Sequence, residues 1–172
     1  MVRKQLRALI LATALPLIFA ACSGRVLSPL DQLAIYSAAL RAASDSLLTA
    51  GSGARLLLDP RLLPPRFTGN TAGQAGAGEL DSAIVRRLPV SAVCIPVGAL
   101  RRCAPGQRGL AAQVSPITRD DRALASVWVQ VAPVQGADDN TALVGAPVLF
   151  HYVLQQLDTQ WRIIRAARGL PG

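Results

Sequence analysis

The sequence predicts an α+β fold, with N-terminal helices packed on a C-terminal antiparallel meander of about four or five strands. Two observations carry this. A capped, apolar-striped helix signal begins at Ser28, and from Val90 onward the texture changes to alternating β-rich runs separated by turn residues. A third fixes the scale: 172 residues, 51% hydrophobic and 16% charged, suit one domain with a real core and exclude disorder as the main state.

Ser28-Pro29-Leu30-Asp31 is a helix start: Ser as N-cap, Pro in the first helical position and an acid in the third. Leu30, Leu33, Ala34, Ile35, Tyr36 and Leu40 form its apolar stripe, expected to run to about Ala43 and to pack across a sheet. Ala54–Leu58 is expected as a short buried strand stopped by Asp59-Pro60. Glu79-Leu80-Asp81 opens a second short helix, to about Leu88, with its acids at the favourable end of the helix dipole.

Strands are expected at Val90–Cys94, Leu110–Ile117 and Leu124–Val131, the last stopped near Pro133. Val148–Leu157, a turn at Asp158-Thr159-Gln160 and Trp161–Ala167 form a closing hairpin.

Charge excludes some functions. Lys+Arg number 18 against 10 Asp+Glu, for a net charge of +8, but Arg3, Lys4 and Arg7 lie in the first seven residues. Lys4 is the only lysine and Glu79 the only glutamate, as in the coding bias of a GC-rich genome. The remaining arginines are dispersed, with only Arg86-Arg87 and Arg101-Arg102 adjacent. A nucleic-acid binder shows a basic stripe, often interleaved with aromatics; no nucleic-acid partner is expected here.

The N-terminus carries the strongest signal. A cationic start is followed by the apolar run Ala8–Ala21 and then Cys22, the parts of an export signal. The run is shorter than the roughly 20 residues a spanning helix needs, and Pro16 interrupts it. Phe19-Ala20-Ala21-Cys22 resembles the lipobox of bacterial lipoprotein precursors, with Phe19 where Leu is commonest.

That resemblance implies lipidation of Cys22, cleavage before it, and a lipid bilayer as partner. It divides the chain into a signal peptide (1–21), a lipidated tether (22–28) and a single periplasmic domain (29–172). Ser23 follows the cysteine instead of the Asp that favours inner-membrane retention in enterobacterial lipoproteins. The expected place is therefore the cell envelope, at the outer membrane facing the periplasm. The alternative is an ordinary cleaved signal peptide with Cys22 as a bystander.

With Cys22 acylated, Cys94 and Cys103 remain of the three cysteines. An oxidising compartment makes them a disulfide pair, closing a short loop worth about 2–3 kcal/mol on the chain-entropy model. Metal binding by this pair is not expected, because His151 is the only imidazole in the chain.

Catalytic signatures are wanting. Gly69–Gly78 contains neither GxGxxG nor GxxxxGK[ST], Gly51-Ser52-Gly53 lacks the nucleophile-elbow spacing, and Asp120, Asp121, Asp138 and Asp139 lack calcium-loop spacing. His151 follows Phe150 in an alternating run, which puts Phe150, Tyr152 and Leu154 on one face and His151 with Val153 on the other.

The expectation is a membrane-anchored envelope lipoprotein that binds or supports, docking an envelope protein partner by a sheet edge or a helix–sheet groove, with no catalytic residue, no cofactor and no metal. The closing strands resemble those of small exported α+β proteins, and a cystatin-like or NTF2-like sheet over a helix is the implied relative. The alternative function is an NTF2-like ligand-binding or hydrolytic domain with His151 lining a cavity.

Overall fold

The computed structural model describes residues 27–47, 55–64, 78–94, 109–119, 123–134 and 147–169. Helix α1 (Pro29–Leu47) is followed by β1 (Leu56–Leu58), a single helical turn α2 (Ser82–Val85), β2 (Ala92–Val93), β3 (Gly109–Val114), β4 (Thr118–Arg119), β5 (Leu124–Val134), β6 (Val148–Leu157) and β7 (Gln160–Gly169). The strands make one seven-stranded sheet in the order β2-β1-β3-β5-β6-β7, with β4 also paired to β5.

The α+β class holds, but the architecture departs from the expected one. The sheet is larger and mixed: β1 runs parallel to both β2 and β3, while β3, β5, β6 and β7 pair antiparallel. One long helix, not a helical layer, packs on it. The second helix shrinks from the expected 79–88 to four residues, because Pro89 and the short apolar repeat leave too little to propagate.

Helix α1 starts as its sequence demands. Asp31 N donates to Ser28 Oγ at 3.1 Å, and Ser28 Oγ donates to Asp31 Oδ2 at 2.7 Å, a reciprocal cap that satisfies an otherwise orphaned amide. The buried stripe is Ile35, Tyr36, Ala39, Leu40 and Ala43, so the expected face is rotated. Leu30, assigned to the stripe, is 65% exposed. The alanines bring the helix close to Val127, Val129 and Val131 of β5 and to Phe150, Tyr152 and Leu154 of β6, all in one apolar cluster. Each fully buried Leu or Ile in it contributes about 1.5–3 kcal/mol.

Ser115 breaks the expected 110–117 strand into β3 and β4. Its amide donates to Trp128 O (2.9 Å), while its hydroxyl accepts from Trp128 N (3.0 Å) and donates to Pro116 O (2.8 Å). The side chain thus stands in for a backbone acceptor at the kink. Tyr36 Oη donates to Ser115 O at 3.2 Å, fastening the helix to the same point. Ser115 is fully buried, so each of these bonds replaces water that it has lost.

Strand β5 continues through Pro133, where the sequence suggested a stop. Leu110, opposite Pro133, directs its amide to Arg55 O of the β1 side at 2.9 Å. Pro133 therefore faces away from β3, toward the side where the β5–β6 register has already ended at Val131↔Val148. Its missing N–H removes no ladder bond.

The closing hairpin forms as expected. Asp158 and Thr159 occupy positive φ (47° and 70°), as a two-residue turn of the mirror-image type requires. A bulge lies between Val153 and Leu154 in the β6–β7 register, with Ile164 as the extra, 53% exposed residue.

Candidate functional site

Alternation along β5 and β6 gives the sheet two faces. Val127, Val129, Phe150, Tyr152 and Leu154 face α1. Trp128 and His151, directly paired in register, project from the opposite face. Their rings stack, with centroids 4.2 Å apart and planes 14° from parallel, and both residues are half-buried. Sequence alternation placed His151 on this face; the pairing with Trp128 was not foreseen, because cross-strand register is not visible within either strand alone.

The interior between α1 and the sheet is filled by the apolar cluster, and His151 does not line it. The two rings pack face to face against each other, flanked in register by Gln130 and Leu149 on one side and by Ser126 and Val153 on the other. Gln130 and Leu149 are buried, with 3% and 6% exposure. The pair is thus a cross-strand aromatic contact that stabilises the β5–β6 pairing.

The long outer strand β7 is the second candidate. Arg162 and every residue from Ile164 to Gly169 are exposed, and the strand carries Arg162, Arg165 and Arg168 with no acid. Cationic side chains and a bulge are how sheet edges resist indiscriminate pairing.

Sequence reasoning missed the most buried charge among the described residues. Asp59, 4% exposed, accepts from Arg61 Nη2 at 2.7 Å, from Arg61 Nε at 3.0 Å and from the Arg61 amide at 3.0 Å. This two-residue fork satisfies the carboxylate where β1 ends, and the Asp-Pro-Arg triplet was its only signal. The same pairing raises the Arg61 pKa above its ordinary value. The geometry is that of a structural clasp.

Two tyrosines are perturbed. Burial pushes the Tyr36 hydroxyl up to about 12 and does the same to Tyr152. Tyr36 has its carbonyl partner, whereas Tyr152 Oη has no hydrogen-bond partner among the described residues. The Ser46 hydroxyl near it donates to Ala42 O at 2.7 Å, and its oxygen stays free to accept, so Ser46 draws the Tyr152 pKa down against the larger effect of burial.

Cys94 is 3% exposed, packed with Leu57 and Ala111, and disulfide-bonded. Cys22 and Cys103, the expected signal peptide (1–21), the glycine-rich stretch up to Ala77, Gly51-Ser52-Gly53, and Asp120, Asp121, Asp138 and Asp139 lie outside the described residues. Among the described residues no group of three or more His, Cys, Asp or Glu could hold a metal ion, and no helix is long and apolar enough to cross a membrane.

Comparison with protein-family models, with curated proteins and with solved structures finds no match to this chain.

Proposed function

We propose that this chain is the precursor of a lipid-anchored cell-envelope protein whose α+β domain acts by binding or structural support. The observation that carries the reading is Phe19-Ala20-Ala21-Cys22 placed directly after a cationic start and a short apolar run. Acyl chains on Cys22 supply about 0.8 kcal/mol per buried CH₂, and two of them suffice for stable anchoring. The chain then faces the periplasm from the outer membrane.

In this reading Cys94 pairs with Cys103, which leaves no free thiol in an oxidising compartment. The buried setting of Cys94 among Leu57 and Ala111 supports a structural role for that bridge. The long β7 edge, with its arginines, supports docking of an envelope partner by strand addition.

Replacement tests the anchor. Cys22→Ala is expected to abolish palmitate labelling and to release the protein from membranes washed in high salt. A Cys22→Ala variant that still pellets with the membrane contradicts the reading.

A further inference from the structure

Helix α1 begins at the same pole of the domain as the β6–β7 turn. Trp161 Nε1 donates to Asp31 Oδ1 at 2.9 Å, and Trp161 pairs with Gln156, next to Leu157. Two large apolar side chains are exposed at this pole: Leu30, beside Asp31 on the helix side, at 65%, and Leu157 at 39%, which by alternation from Gln156 projects from the other face of the sheet. Neither helix capping nor the hairpin turn needs a leucine at these positions. The other large hydrophobics exposed among the described residues, Val93 and Ile164, sit on β2 and at the β7 bulge.

Chain length sets what can cover the two leucines. Leu27 joins the apolar cluster, and its carbonyl accepts from Gln32 Nε2 at 3.2 Å, so the domain grips the chain from that residue on. Five residue steps separate Leu27 from Cys22, and a chain spans at most about 3.6 Å per residue. A lipidated Cys22 therefore holds this pole within about 20 Å of the bilayer.

We propose that the Leu30–Leu157 pole rests on the lipid surface as a second apolar contact beside the acyl chains. This inference rests on the lipid-anchor reading and adds an orientation to it. Among the described residues the charges at the pole are mixed: Asp31, on which Arg119 acts, Asp158 in the turn and Arg162 after Trp161. The contact is accordingly apolar in origin and weakly dependent on salt. Strand β7 then leads away from the membrane at about 3.3 Å per residue, placing Arg168 roughly 23 Å beyond Trp161. The β7 arginine edge is thereby presented to the periplasm.

The test uses the full mature protein reconstituted in phosphatidylcholine vesicles that contain a headgroup-spin-labelled lipid. A thiol-reactive fluorophore is placed on the Asp158→Cys or the Arg168→Cys variant. Quenching is expected to be about threefold or more stronger at position 158, and to fall to the level of position 168 when Leu30→Ser and Leu157→Ser are added. Equal or reversed quenching in protein that pellets with the vesicles and carries its acyl mass overturns the orientation while leaving the anchor intact. Strong quenching that survives the two serines overturns the role of the leucines. A mass equal to the bare polypeptide overturns the anchor and this inference together.

Discussion

The Trp161 indole donates to the Asp31 carboxylate at 2.9 Å across 130 residues of sequence. Asp31 is also the acid of the α1 cap. One carboxylate thus fixes where the helix begins and where the last strand begins, and it does so at the end of the domain nearest the proposed anchor.

This bond predicts coupling. Trp161→Phe is expected to destabilise the fold by about 1–3 kcal/mol, from the lost hydrogen bond and lost indole volume. In a double-mutant cycle with Asp31→Ala, which leaves no acceptor for the indole, the two effects fall short of additivity, because each removes the same bond. The hydrogen bonds from Trp161 and Ser28 hold the Asp31 carboxyl below its ordinary 3.8. A depressed folded value means that this contribution is fully present above pH 3.8 and is lost as the pH falls through the folded pKa. Chemical unfolding of wild type and Asp31→Asn from pH 7 to pH 2 checks this: the gap between them closes only on the acid side.

The two tyrosines predict opposite outcomes for the same deletion. Tyr36→Phe strands the fully buried Ser115 carbonyl without its hydroxyl donor and is expected to cost about 1 kcal/mol. Tyr152→Phe removes a buried hydroxyl that has no well-formed hydrogen bond among the described residues, only the weaker influence of Ser46, and is expected to be neutral or stabilising by up to about 1 kcal/mol. Urea midpoints of the two variants distinguish them directly.

Alkali should act through the same pair. Both hydroxyls are pushed up to about 12 by burial, so the unfolded chain loses these protons first and stability falls as pH rises from about 10 toward 12. The chain has only two tyrosines, so absorbance near the tyrosinate band reports both, with midpoints above 10 in the folded protein and near 10 in denaturant.

Backbone geometry predicts a destabilising and a stabilising change. Gly109 has φ +148°, and a Cβ there would lie 2.2 Å from Arg55 O. Gly109→Ala is expected to lose about 1–3 kcal/mol or more by prising β3 from the β1 side. Thr159, a β-branched residue at φ 70°, is strained in a turn that favours Asn-Gly. Replacing Asp158-Thr159 by Asn-Gly is expected to gain about 0.5–1 kcal/mol, measured as a raised urea midpoint.

Local signals made part of this fold legible. The Ser28-Pro29-Leu30-Asp31 cap, the β6–β7 hairpin and the alternation that separates His151 from Phe150 and Tyr152 are all written within a few residues of each other. Long-range pairings were not. Leu56–Leu58 reads as an isolated apolar triplet, and nothing within it announces two parallel neighbours, so the sheet was expected smaller and purely antiparallel. Leu30 was assigned to the buried stripe because periodicity does not fix the rotation of a first turn. The Trp128–His151 stack depends on register between two strands, which neither strand specifies alone. The Cys22 motif and the Cys94–Cys103 pairing remain proposals drawn from local pattern.

The mass of the mature protein from cells that express the full chain tests the central claim most directly. The proposal predicts a polypeptide that begins at Cys22 and is heavier than residues 22–172 by a diacylglyceryl group and an acyl chain. A mature chain that starts at any other residue, or one with no mass beyond its amino acids, contradicts it.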